Sequence, residues 1–225
     1  LAQGLKRRLI ELLRSGGRVE DLGPLPGRKL INALLSAICR PEPEIRWPAL
    51  ATLGRAAAGL AEEDPEAGRD VVRRLTWSLN DDSGATGWGA AEALAEIMAR
   101  SELLATEFGE VFLGYLRPDP GSPDFEPLIQ GVLWGLLRLA EARPELAVRA
   151  IPLLRLRLKS PDPLTRVLAA RVAGRLGAKE LRAELKALVE DRTEVSLAGP
   201  EGSEKTTVGR SARRALEGLD QSLPD

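Results

Sequence analysis

An all-α fold assembled from repeated helix pairs is the class that this sequence predicts, on three observations. Apolar residues recur at spacings of three and four along most of the 225 residues. No sustained period-two alternation appears before residue 193. Finally, a small residue returns at one point of a pattern repeated five times, as Ala49, Ala90, Gly131, Ala169 and Ala212, at successive spacings of 41, 41, 38 and 43.

The periodicity predicts helices over residues 3–14, 27–40, 44–62, 66–80, 87–100 and 103–117 in the first half of the chain. In the second half it predicts 124–142, 145–159, 163–177, 179–190 and 208–219. Pro43, Pro65, Pro144 and Pro163 stand near helix starts, where a missing N–H costs nothing, and Gly177 stands where a C-terminal cap is expected. The repeated stretches are RWPALATLG from Arg46, GWGAAEALA from Gly87, LIQGVLWGL from Leu128, RVLAARVAG from Arg166 and GRSARRALE from Gly209. Helices packed 8 to 10 Å apart need a small residue where a neighbour approaches. Leu50, Leu53, Leu168 and Val172 are then expected to fill the space between repeats. One helix pair cannot bury its apolar stripe alone, so the pairs must stack.

RWPALATLG and RVLAARVAG resemble the second helix of HEAT-type repeats, in particular the bacterial HEAT-like repeats related to phycobilisome lyase repeats. The resemblance covers residues 27–219 and is weakest in the third copy, where Gly135 and Leu136 replace the usual leucine and glycine. It implies a right-handed α-solenoid, armadillo-like in class, with first helices on a convex face and second helices on a concave one. The expected organisation is a single domain, 1–225, with a cap at 1–26 and repeats at 27–62, 66–100, 103–142, 145–177 and 179–219. It also implies a scaffold that holds another protein, and the leading expectation is a non-catalytic protein, cytoplasmic as the single cysteine suits, that binds a protein partner on its concave face and on the edge formed by the turns within repeats. The competing reading is a HEAT-like enzyme or enzyme accessory, glycosylase-like or cofactor-lyase-like. Deoxyhypusine hydroxylases of this family need His–Glu pairs, and this chain has none.

Composition narrows the chemistry further. With no histidine, His-based triads and HExxH zinc sites are excluded, and no metal or cofactor is expected. Cys39, the single cysteine, rules out an internal disulfide and is expected as a packed core thiol in LLSAICR. Lys plus Arg number 32 against 33 for Asp plus Glu, a balance that argues against nucleic acid as the partner. No apolar run approaches the roughly 20 residues of a bilayer span, and LAQGLKRRLIELL reads as an amphipathic helix and not as a signal peptide.

The candidate site is the glycine-rich turn in WSLNDDSGATGWGAAEALAE, which begins at Trp77. Asn80, Asp81, Asp82 and Ser83 group oxygen ligands, and Glu92 and Glu96 follow one helical turn apart. The turn could accept a hard cation or an anion at the following helix start, yet it lacks the EF-hand and phosphate-loop patterns. A purely structural joint, capped by Asp82 or Ser83 and covered by Trp77 and Trp88, explains the same residues. Trp47 and Trp88 share one repeat position and so could line one side of a groove. Arg171 and Arg175, with Arg166, Arg210, Arg213 and Arg214, gather positive charge in the last two second helices. Further insertions are PDPGSPD at 118–124 and the stretch 191–207, where Glu194–Ala198 and Lys205–Val208 could pair as a short β-hairpin around GPEGSE or the whole stretch could form a disordered loop.

Overall fold

The computed structural model describes residues 2–23, 25–80, 89–118 and 125–221. The chain up to Gly109 forms one compact unit, and most of the chain from Glu110 forms a second. The helices of the first part are α1 (Ala2–Arg14), α2 (Gly27–Ala37), α3 (Pro43–Glu63), α4 (Pro65–Leu79), α5 (Ala90–Arg100) and α6 (Glu102–Gly114). They are followed by α7 (Glu126–Ala142), α8 (Pro144–Ala147), α9 (Ile151–Arg157), α10 (Pro163–Arg175), α11 (Arg182–Leu188) and α12 (Val208–Gln221). A two-stranded hairpin of β1 (Glu194–Gly199) and β2 (Gly202–Thr207) stands between α11 and α12. The class is therefore all-α apart from this hairpin, the first of the two forms that the sequence left open for the insertion.

Local chemistry explains the helix boundaries. Pro43, Pro65, Pro144 and Pro163 each occupy the first position of a helix, where the ring's fixed φ suits the helix and no bond is lost. The Asp64 and Asp162 carboxylates cap α4 and α10 by accepting from the backbone N–H of Ala67 at 3.2 Å and Thr165 at 2.7 Å. Gly177, at φ +62°, closes α10 as expected: Ala178 N–H returns to Ala173 O at 3.0 Å.

Three of the boundaries that differ from the sequence expectation have a local cause. First, α5 begins at Ala90 and not at residue 87, because Gly89 sits in the left-handed region at φ +82°. Second, the helix expected over 145–159 breaks into α8, a 3-10 turn at Val148–Ala150, and α9. Pro152 has no N–H to give the Val148 carbonyl one turn back, so the α-helical ladder is interrupted there. Third, β2 starts at Gly202, at φ +110°, leaving only Pro200 and Glu201 between the strands. Val208, which the sequence places both at the end of the second strand and at the start of the helix 208–219, opens α12, with its N–H on Thr193 O at 3.1 Å.

In the first unit α1, α2, α4 and α5 all pack on α3. In the second, α10 packs between α7 and α12. The residues at the repeated small position, Ala49, Ala90, Gly131, Ala169 and Ala212, are all buried. Leu50, Leu53, Leu168 and Val172 are buried as well. Two glycines let the tightest pairs close. A Cβ on Gly54 of α3 would lie 2.8 Å from Glu96 O of α5, and one on Gly174 of α10 would lie 2.8 Å from Ala215 Cα of α12.

Candidate functional site

The carboxyl end of α4 leads into the glycine-rich turn. Trp77 on its last turn is 72% exposed. Asn80 ends the helix: its N–H bonds Trp77 O at 3.1 Å, and its Nδ2 donates to Thr76 O at 2.9 Å. The amide of Asn80 thus serves as a cap. Asp81, Asp82, Ser83 and Trp88 lie outside the described residues. Among the described residues no three acidic or sulfur side chains are grouped to hold a metal ion.

Beyond the turn, Gly89 is required twice over. Its positive φ suits glycine, and an added Cβ would lie 2.6 Å from Ile38 O at the end of α2. This close approach brings the start of α5 against the α2–α3 connection. It also places Glu92 deep in the structure, its side chain 7% exposed, where the Arg46 guanidinium of α3 donates to Oε1. Burial pushes the Glu92 carboxyl above the ordinary glutamate value, and the charge and hydrogen bond of Arg46 work against that rise. Arg46 also stands 5.5 Å from the ring centre of half-buried Trp47. Glu92 is consequently part of a helix-to-helix tie, while Glu96 pairs with Arg100 within α5.

Cys39 is exposed, contrary to the expected core thiol: α2 ends at Ala37, and the turn that follows leaves Cys39 at the surface. Its Sγ donates to Leu35 O at 3.4 Å. The protein that still covers the thiol pushes its pKa up, against the lowering effect of Arg46.

The arginines of the last second helices are largely neutralised. Glu204 of β2 accepts from Arg171 at 2.7 Å and Arg214 at 3.3 Å, and the hydrogen bond from Arg171 holds its carboxyl below the ordinary range. Arg166 pairs with Asp191 at 2.9 Å, and Arg175 with Glu141. Exposed cationic surface is accordingly smaller than the sequence suggested.

The structure adds a groove that sequence reasoning missed. The segment after α1 folds over the outward side of α3 and leaves a space of about 530 Å³. Gly17, Arg18 and Val19 form one wall, and Pro48, Ala51 and Arg55 of α3 form the other. Pro48 and Arg55 are exposed, and Arg55 donates to Thr52 Oγ1 at 3.2 Å. The signal available in sequence was the spacing of Pro48, Ala51 and Arg55, three and four apart and off the buried face of Ala49, Leu50 and Leu53. No sequence signal predicted that the α1 segment would cover them.

No protein-family model matches the chain, and no curated protein does. Solved structures do match over nearly its full length. An engineered protein from the Northeast Structural Genomics Consortium is 17% identical, with 98% of this chain and 92% of that one covered at a TM-score of 0.55. The designed armadillo repeat protein YIII(Dq)4CqI is 20% identical, with 96% and 94% covered at 0.51. A second designed armadillo repeat protein, solved in complex with the peptide (KR)4, is 20% identical, with 96% and 92% covered at 0.53. The chain thus has the armadillo-like helical-repeat fold, an α-solenoid class.

Proposed function

We propose that the chain is a HEAT-type repeat scaffold that holds a protein segment along the face formed by its second helices. The observation that carries this reading is the groove of about 530 Å³ between the α1 segment and the outward side of α3. Pro48 and Ala51 give it a low wall without long flexible side chains, so an entering chain immobilises little. Arg55, held by Thr52, supplies a fixed polar contact at its end. The complex of the second designed armadillo protein with the peptide (KR)4 supports the reading, since a protein of similar fold binds a peptide. The edge at Trp77, Asn80, Asp81, Asp82, Ser83 and Trp88 provides a second contact region in this proposal. A reducing, cytoplasmic setting suits the single cysteine.

The test compares proteins captured from a native-host lysate by the wild-type chain and by Ala51→Arg, which fills the groove from an already half-exposed position. The reading expects a discrete partner that Ala51→Arg loses while its thermal unfolding stays unchanged. The same partner captured by both overturns the groove assignment.

A further inference from the structure

Helices α2 and α4 both pack on α3, and between them a second groove of about 290 Å³ remains. Ile31 of α2, Leu60 of α3 and Val71 of α4 give it an apolar floor. Its rim is charged, with Arg28 on the α2 side and Asp70, Arg73 and Arg74 on the α4 side.

The charges on this rim do not balance. The other two arginines of α4, one of them on the rim, have carboxylates: Arg69 meets Glu107 at 2.6 Å and Glu66 at 3.2 Å, and Arg73 meets Glu66 at 2.6 Å and Asp70 at 2.9 Å. Asp70, the one acid on the rim, is thereby already engaged. Arg74 instead donates to a neutral acceptor, Asn32 Oδ1, at 2.9 Å. Neither Arg74 nor Arg28 has a carboxylate partner among the described residues. Positions 70, 74 and 77 fall on one side of α4, so exposed Trp77 continues the same surface one turn beyond Arg74.

We propose that the α2–α4 groove binds an acidic peptide segment of a partner protein, in which carboxylates flank a bulky apolar side chain. The apolar group covers Ile31, Leu60 and Val71, and the carboxylates take the free faces of Arg28 and Arg74, since a guanidinium fork matches a carboxylate with two parallel hydrogen bonds. Trp77 packs on the residue that follows, as tryptophan does at the centres of protein interfaces. A basic segment is repelled by the same rim. This surface is separate from the α1–α3 groove and does not depend on it.

A library of random short peptides, selected on the immobilised full chain at low salt, tests the proposal. The expected pool is enriched in Asp and Glu on either side of Leu, Ile, Phe or Met. Its consensus peptide, fluorescently labelled, should lose roughly tenfold or more in affinity to Arg28→Glu/Arg74→Glu, the scale of one lost charge-assisted contact. Ala51→Arg should bind it unchanged. Circular dichroism melting checks that the double variant folds; if it does not, Arg28→Gln and Trp77→Ala, each measured singly, should both weaken the peptide. A pool without acidic enrichment, equal affinity in these variants, or equal competition by single-stranded DNA overturns the proposal.

Discussion

Arg46 of α3 reaches across to α5 and donates to the carboxylate of Glu92, which is almost wholly buried. The pair spans two successive copies of the repeated pattern. Removing one partner leaves the other without its counter-charge in a poorly hydrated place. Glu92→Ala is expected to cost about 3 kcal/mol, the low end for such a pair because the Arg46 side chain is 21% exposed. Urea unfolding measures it, and a loss within error of zero would show that the tie carries no stability.

The same carboxyl sets a pH dependence. Its folded pKa is raised above the ordinary 4.5, because burial outweighs Arg46. The folded state therefore holds the proton more tightly than the unfolded one. The resulting stabilisation is full below pH 4.5 and is lost as pH rises through the elevated folded value. Glu92→Gln, which keeps an acceptor for Arg46 and cannot ionise, removes this dependence. Its Tm relative to wild type should be more favourable at pH 7.5 than at pH 4. The opposite trend would mean that Arg46 dominates and the folded pKa is depressed.

Two glycines in α3 should respond in opposite senses to the same change. Gly54→Ala forces a methyl group to within 2.8 Å of Glu96 O and should cost about 2 kcal/mol from overpacking. Gly59 has nothing within 4 Å of a built Cβ, so Gly59→Ala should gain about 0.7 kcal/mol from helix propensity. Denaturant midpoints of the two variants should fall on either side of wild type; a shift in the same direction for both would contradict the α3–α5 approach.

At the start of α5, Gly89→Ala meets both a left-handed backbone and the carbonyl of Ile38 at 2.6 Å. The two penalties should together cost about 3 kcal/mol. A thermal melt near that of wild type would show that α5 starts differently.

Cys39 should react in the folded protein. Titration with a disulfide reagent without denaturant is expected to modify one thiol, slowly at neutral pH and faster in alkali, because its pKa is raised above the ordinary 9.0. Modification that appears only on unfolding would restore the buried thiol expected from LLSAICR.

Much of the architecture was legible because its causes are local. Proline at first helical positions, the cap at Gly177 and the buried small residue of each copy are all written in short stretches of sequence. The hairpin was visible from its turn residues, though the strand from Gly202 was not, since its pairing depends on the register of β1. The interruption at Pro152 was visible in principle, yet the apolar period on both sides masked it. Surface chemistry was less legible. Glu92 reads as an ordinary helix glutamate until Gly89 and Ile38 draw α5 inward, and Cys39 reads as core until α2 ends before it. Both grooves depend on which helices meet at long range, and periodicity does not tell which rim arginines will find carboxylates.

Photo-crosslinking in the native host tests the scaffold reading most directly. Benzoylphenylalanine in place of Ala51 lies in the α1–α3 groove, and in place of Leu156 it lies on an exposed side of α9. A scaffold that binds through this groove gives a discrete protein adduct from position 51 and none from position 156. Absence of an adduct at 51, or the same adducts from both positions, would contradict it.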